Sequence, residues 1–281
     1  MTRRRFHTVN VFSQGRLDGN PVAVIVDGDG MTTEEMQQFT RWTNLSEATF
    51  LLTPTDPAAD YRVRIFTLDR EMPFAGHPTL GSCHAWLESG GVPRTPGLVH
   101  QECGAGLVAI RRTDEGLAFA APPLIRDEPV QPADLDRFAT ALRIGPDRIV
   151  DSRWADNGPG WAVLLLDSAQ TVLDLEPVPT SATRLDIGVV GPHPAGSDSS
   201  WELRAFYTDH LGILREDPVT GSLNAAVAHW LFTTGRAAGA YLATQGKRVQ
   251  RNGRIHLRHD DDGTVWVGGH TQSVLIGHAD V

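Results

Sequence analysis

The sequence of 281 residues contains only two cysteines, no excess of positive charge and no long apolar run. Cys83 and Cys103 are too few for a disulfide framework and fit a reducing compartment, so we expect a cytoplasmic protein. With 25 Lys and Arg against 34 Asp and Glu, the net charge of −9 argues against a nucleic-acid binder, which needs a basic surface. No segment approaches the ~20 apolar residues of a membrane span, and no apolar stretch of about 7–15 residues follows the basic start. We therefore expect neither a membrane protein nor a secretory signal.

The sequence does contain enough apolar residues, 41 %, for a large core. At ~100–200 residues per domain, its length predicts two domains or one large one. Many short segments alternate between apolar and polar residues and predict strands, whereas helices are predicted at few places, such as residues 132–142 and after the capping box at Thr32. This mixture favours an α+β fold over a doubly wound sheet. Four prolines within residues 121–132 predict a domain linker.

An internal repeat is the most informative feature of the sequence. Residues 61–85 and 201–225 align at an offset of 140 and share seven identities, where about one or two are expected by chance at roughly 6 % per position. The identical pairs are Arg64/Arg204, Phe66/Phe206, Asp69/Asp209, Pro78/Pro218, Gly81/Gly221, Ser82/Ser222 and Ala85/Ala225. In each copy a proline-containing turn predicts a helix start, after Pro78 and after Pro218. Exposed N–H groups and the positive end of the helix dipole at such a turn suit a carboxylate, so we expect a site between two similar halves.

Glu47 distinguishes the two halves of the repeat. At the same offset its counterpart is Ile187, and the residues that follow Glu47 are largely apolar. A buried, ionised carboxylate is costly, so we expect the pKa of Glu47 to be raised toward neutral, where a carboxyl group can accept and return a proton. The alternative is an exposed glutamate at a strand edge.

Five motifs, in family order, resemble those of the PhzF-like proteins, the phenazine-biosynthesis isomerase family. They are residues 19–24, 44–47, 73–81, 216–226 and 265–270, and the likeness extends from residue 6 to residue 276. The resemblance implies an α+β fold like that of diaminopimelate epimerase, with two pseudo-symmetric domains, each an antiparallel β-sheet or barrel wrapped round a central helix. We place the N-terminal lobe at residues 1–122, with residues 272–281 as a candidate last segment of it, and the C-terminal lobe at residues 123–271. The active-site cleft is expected between them.

The resemblance also implies the site residues. Glu47 falls on the family's acid/base glutamate, and His77 and Asp217 fall on its two polar positions at the helix heads. The substrate-binding positions correspond to Gly76, Gly221 and Ser222. The resemblance further implies no cofactor and no metal, a small-molecule carboxylate as the substrate, and a homodimer. Residues 247–254 depart from the family's pattern, because they lack its usual Gly-Arg-Pro run.

The expected function is that of a cofactor-independent isomerase, similar to trans-2,3-dihydro-3-hydroxyanthranilate isomerase of phenazine biosynthesis, which shifts a proton on a small carboxylate. One alternative is an amino-acid racemase or epimerase, which would use a thiol at each helix head, where this sequence has His77 and Asp217. Another is a non-catalytic binder of the same fold, which would have no need of a buried carboxyl group.

Overall fold

The computed structural model describes residues 2–15, 17–209 and 211–281. The chain divides into two compact units: unit 1 is Met1–Ala120 with Gly268–Val281, and unit 2 is Ala121–Val267. The corresponding boundaries expected from the sequence were at residues 122 and 271. Among the described residues, no helix is long and apolar enough to cross a lipid bilayer.

Unit 1 consists mainly of strands. They are β1 (Arg3–Ser13), β2 (Asn20–Ile25), β3 (Glu47–Leu52), β4 (Tyr61–Thr67), β5 (Glu71–Met72), β6 (Leu98–Cys103), β7 (Gly106–Thr113) and β8 (Gly116–Ala120), with part of the last strand of the chain. Its helices are α1 (Thr33–Thr43) and α2 (Gly76–Glu88). The pairs β2–β3 and β4–β6 are parallel, and the pairs β1–β2, β3–β4, β4–β5, β6–β7 and β7–β8 are antiparallel.

Unit 2 repeats this pattern. Its strands are β9 (Arg126–Pro129), β10 (Ile149–Asp156), β11 (Ala162–Leu166), β12 (Asp186–Pro192), β13 (Trp201–Thr208), β14 (Leu214–Asp217), β15 (Ala240–Gln245) and β16 (Gly253–His259), followed by β17 (Val265–Asp280), which continues into unit 1. Its helices are α3 (Pro132–Leu142), α4 (Ala169–Asp174) and α5 (Gly221–Thr233). The pairs β11–β12 and β13–β15 are parallel, and the pairs β9–β10, β10–β11, β12–β13, β13–β14 and β15–β16 are antiparallel.

The fold is α+β, and each unit surrounds one buried helix. In unit 1, α2 packs against β1, β2, β3, β6 and β8; in unit 2, α5 packs against β10 and β16. Helix α2 and strand β2 approach each other closely at Gly81, where a Cβ atom would lie only 2.3 Å from Cγ1 of Val22. Within the described residues, the pairing is mostly antiparallel, with two parallel pairs in each unit. Each parallel pair is joined through a helix (α1, α2, α4 or α5), because parallel neighbours need a long crossover connection.

Several local predictions are confirmed. The capping box at the start of α1 is present, with Thr32 and Glu35 bonding reciprocally to each other's backbone N–H, and α3 spans the predicted residues 132–142. The proline-rich segment predicted as a linker contains the strand β9, which pairs with β10. All four residues of β9 are exposed, which is where a strand tolerates proline.

The two units also show that the ungapped alignment of the repeat was wrong beyond its first strand. Phe66 lies opposite Glu71 in one hairpin and Phe206 lies opposite Glu216 in the other, so the offset changes from 140 to 145. Two ion pairs agree with this register: an Arg64 Nη2–Glu71 Oε2 distance of 2.5 Å and an Arg204 Nη2–Glu216 Oε2 distance of 2.7 Å. The longer connection between β13 and β14 accounts for the shift.

The two central helices also begin at residues other than those predicted. Helices α2 and α5 begin at Gly76 and Gly221, which makes these two glycines counterparts. Pro78 lies inside the first turn of α2, where proline is tolerated, whereas Pro218 precedes α5. The counterpart of Pro218 is therefore Pro73.

Candidate active site

Glu47 begins β3, opposite Thr67 of β4. Its side chain is 18 % exposed, and Ala48 and Phe50 after it are completely buried. The predicted apolar surroundings are confirmed, and the alternative of a solvent-exposed edge residue is wrong. The expectation from the sequence that the pKa of Glu47 is raised toward neutral stays a prediction.

His77, the second residue of α2, lies against Glu47. Its Nε2 is 3.3 Å from Glu47 Oε2, and its Nδ1 is 3.3 Å from Asn20 Nδ2. Only 4 % of His77 is exposed, and this burial lowers its pKa to about 3, so the imidazole is neutral near pH 7. The imidazole and the carboxyl group are therefore in contact, although these two atoms do not meet the geometry of a hydrogen bond. A carboxyl group beside a neutral imidazole is suited to take up and release a proton.

The head of α2 suits an anion. Its N-cap residue, Ala75, has no side chain that can accept a hydrogen bond from the first-turn N–H groups, and the first turn contains no acidic residue. Gly76, the first residue of the helix, is buried. The backbone N–H groups and the positive end of the helix dipole therefore favour a carboxylate at this position.

In unit 2, Asp217 is the last residue of β14. The prediction that it lies at a helix head is therefore wrong. Thr220, the N-cap of α5, donates its hydroxyl to Asp217 Oδ2. Gln245 of β15 donates to the Asp217 carbonyl at 3.1 Å and accepts from the N–H of Thr220 at 3.0 Å. Gln245 was missed by the sequence analysis because it lies in no motif, and only the structure shows that it is buried.

The residue at the second helix head is Ser222, directly after Gly221. The indole Nε1 of Trp161 donates to Ser222 Oγ at 3.0 Å, and Asn157 Nδ2 donates to the Ser222 carbonyl at 2.9 Å. These two contacts with Ser222 were also missed, since nothing in the sequence shows that residues before β11 reach the start of α5. Two predicted binding positions, Gly221 and Ser222, thus lie at the head of α5.

The counterpart of Glu47 is Asp186, and the predicted correspondence with Ile187 was wrong by one position. Asp186 lies opposite Tyr207 in the β12–β13 pair, as Glu47 lies opposite Thr67, whereas Ile187 lies opposite Phe206. The Arg184 Nε–Asp186 Oδ2 distance is 2.8 Å. Each half therefore has a carboxylate at this position: Glu47 contacts a neutral imidazole, and Asp186 pairs with a guanidinium.

No thiol lies at either helix head, where the second residues are His77 and Ser222. Cys83 lies deep in α2, and burial raises its pKa to about 12. Cys103 ends β6. A racemase that uses one thiolate on each side of the substrate does not fit this arrangement.

Comparison with known proteins decides the family. A family model described as "Phenazine biosynthesis-like protein" matches residues 9–278. The chain belongs to this PhzC-PhzF family. Relatives of this PhzC-PhzF chain are named isomerases, and the chain is an enzyme of that class.

Three similar proteins illustrate the likeness. Antisense-enhancing sequence 1 of Schizosaccharomyces pombe is 33 % identical, over 99 % of both chains. A trans-2,3-dihydro-3-hydroxyanthranilate isomerase of Pseudomonas fluorescens is 31 % identical, over 81 % of this chain and 80 % of its own. The crystal structure of a PhzF-family protein from Bacillus anthracis has a TM-score of 0.83 at 19 % identity, over 100 % of both chains, which shows the shared fold.

Proposed function

We propose that this PhzC-PhzF chain is a cofactor-independent isomerase that moves a proton between two carbons of a small carboxylate. Its substrate would resemble that of trans-2,3-dihydro-3-hydroxyanthranilate isomerase, the name of a relative that is 31 % identical. The predicted homodimer and the predicted cytoplasmic location stay predictions.

The observation that carries the proposal is the 3.3 Å contact between Glu47 Oε2 and His77 Nε2. Because burial keeps the imidazole of His77 neutral, this imidazole does not hold Glu47 in its ionised form, and the carboxyl group is suited to cycle between its two protonation states. In the proposed reaction Glu47 removes a proton from one carbon, becomes neutral, and returns the proton to another carbon. His77 orients the carboxyl group throughout.

The remaining site residues bind and orient the substrate in this proposal. In unit 1 the helix head at Gly76 offers N–H groups to a carboxylate. In unit 2 the helix head at Gly221–Ser222 offers N–H groups and a hydroxyl group, and Asp217, positioned by Thr220, orients a polar group. General acid–base catalysis contributes about 10²–10⁴-fold, so orientation at these positions must supply much of the remaining acceleration.

The test is Glu47→Gln, assayed with trans-2,3-dihydro-3-hydroxyanthranilate in deuterated water. We expect turnover to fall by at least about 10²-fold, because the amide cannot take the proton, and we expect solvent deuterium to disappear from substrate and product. Glu34→Gln, on the exposed side of α1, is the control and should keep full activity. The proposal fails if the Glu47→Gln enzyme still exchanges deuterium. It also fails if the unaltered enzyme exchanges no deuterium with this substrate and none with any member of a panel of dihydroaromatic and amino acids.

A further inference from the structure

Unit 1 contains a cavity at the end of α2 that lies away from His77. The volume of this cavity is about 450 Å³, and pockets that hold small ligands measure roughly 300–1,000 Å³. Leu87, in the last turn of α2, lines the cavity. At about 1.5 Å of rise per residue, Leu87 lies about 15 Å along the helix axis from His77. The cavity is therefore separate from the candidate active site at the head of α2.

One wall of the cavity is the buried face of β6, β7 and β8. Val99 lies opposite Ile110, Leu117 lies opposite Arg112, and all four residues line the cavity. Val99, Ile110 and Leu117 are buried. Arg112 follows Ile110 on the same face of β7, because alternate residues of a strand face the same side, but it is exposed. The apolar wall therefore ends at a positively charged, exposed residue.

A second wall is the segment that joins α2 to β6, and its side chains at the cavity are apolar. They are those of Val92, Pro93 and Pro96. The backbone N–H of Arg94 donates to Asp60 Oδ1 at 2.9 Å, and the carbonyl of Gly97 accepts from the N–H of Arg112 at 3.3 Å. These bonds, together with the fixed φ angle of each proline, hold the segment in place. The cavity therefore exists before any ligand binds.

Arg112 is the only charged residue among those that line the cavity. Its guanidinium has no hydrogen bond and no ion pair with any residue that the structure describes. Glu88, a carboxylate at the same end of α2, instead accepts from Ser273 at 2.5 Å. The positive charge of Arg112 is therefore not neutralised by contact with these residues. A ligand with one negative charge next to an apolar body matches the cavity.

We propose that this cavity is a binding site for a small carboxylic acid with an aliphatic chain. The chain would lie against Val99, Ile110 and Leu117, and the carboxylate would bind Arg112, because the planar guanidinium presents N–H groups that match a carboxylate. Each methylene group removed from water strengthens binding by up to about fourfold. A phosphate group has a greater charge and would need further donors, whereas one lining residue is cationic. The proposal is independent of the isomerase reaction.

The test is calorimetric titration of the full-length enzyme with octanoate and with 1-octanol, which has the same chain length but no charge. Arg112→Met removes the charge and keeps an unbranched apolar side chain. It should weaken the binding of octanoate about 3–10-fold and leave the affinity for 1-octanol within about twofold. Arg111→Met is the control, because Arg111 lies on the opposite face of β7. It makes the same change in net charge and should keep the affinity for octanoate.

Val92→Glu gives a second test at a position where the fold tolerates a charge. Val92 lines the cavity and is 80 % exposed. A carboxylate there should repel octanoate and weaken its binding by at least about threefold, with little effect on 1-octanol.

Three results would overturn the proposal. In the first, octanoate shows no binding to the unaltered enzyme at millimolar concentration. In the second, Arg112→Met and Arg111→Met weaken the binding of octanoate equally. In the third, neither Arg112→Met nor Val92→Glu weakens it, which would place octanoate elsewhere, such as at the head of α2. If octanoate does not bind and Val92→Glu changes the mass of the protein in sedimentation, the cavity is instead a contact between two copies of the chain.

Discussion

At the scale of single residues, burial decides the charge of the group next to Glu47. His77 is 4 % exposed, and desolvation holds its imidazole neutral although a carboxyl group lies 3.3 Å away. A protonated imidazole at this position would stabilise ionised Glu47 and oppose the return of its proton. The neutral state of His77 therefore suits the acid/base role that we propose for Glu47, whose charge would change twice in each turnover.

The lowered pKa of His77 predicts how stability depends on pH. Its pKa is about 3 in the folded chain and near 6.5 when the chain is unfolded, so the unfolded state binds more protons between these values. The contribution of neutral His77 to stability is fully present above about pH 6.5 and is lost as the pH falls toward 3. From pH 7.5 to pH 5 this amounts to roughly 2 kcal/mol, measured as the free energy of unfolding in urea.

His77→Gln removes this titration and should make the protein less sensitive to acid by that amount. His278→Gln, which alters an exposed histidine of β17, is the control and should leave the acid sensitivity unchanged. Equal acid sensitivity of the His77→Gln variant and the unaltered protein would contradict the prediction.

At the scale of secondary-structure elements, the units repeat the same hairpin, with an Arg–Glu pair beside a phenylalanine. The pairs differ in burial: the side chains of Arg204 and Glu216 are 5 % and 9 % exposed, against 19 % and 40 % for Arg64 and Glu71. Arg204 also donates to the Val172 carbonyl at 3.1 Å and to the Leu175 carbonyl at 2.8 Å, which joins the hairpin to α4. The same pair is thus a buried anchor in unit 2 and a more exposed contact in unit 1.

This difference predicts unequal effects of two matched substitutions. Glu216→Gln leaves the buried guanidinium of Arg204 without its counter-charge and should lower the free energy of unfolding by about 3–5 kcal/mol. Glu71→Gln breaks a more exposed pair and should cost about 0–1 kcal/mol. Urea unfolding of both variants at pH 7.5 measures the difference. Similar losses in the two variants would show that burial does not control the strength of these pairs.

At the scale of the whole molecule, the two halves have the same framework but different chemistry. His77 and Ser222 occupy the second position of the central helices, and Glu47 and Asp186 occupy equivalent strand positions. A shared backbone arrangement therefore holds, as we propose, a proton-transfer pair in unit 1 and substrate-binding groups in unit 2.

The proposed function predicts that the effects of substitutions at Glu47 and Asp217 are not additive. Glu47→Gln and Asp217→Asn should each lower kcat/KM for trans-2,3-dihydro-3-hydroxyanthranilate. The double variant should be no more than about threefold slower than Glu47→Gln alone, because losses are not additive among residues that act as a unit. Losses that multiply in the double variant would mean that the two residues contribute independently.

The amino-acid sequence alone determined the local features and the family. The capping box at Thr32, the limits of α3, the order of the five motifs, and Glu47 with its buried surroundings could all be predicted, because each depends on residues close together in the chain.

Only the tertiary structure decided which residues are equivalent and which meet. The five-residue shift of the repeat, the match of Glu47 with Asp186, and the contacts of Ser222 with Trp161 and Asn157 were not predictable. Each depends on strand register and on contacts between segments far apart in sequence. Local composition does not encode strand register or such distant contacts. Several registers conserve the same apolar pattern, and hydrogen bonds between distant backbone segments select one of them.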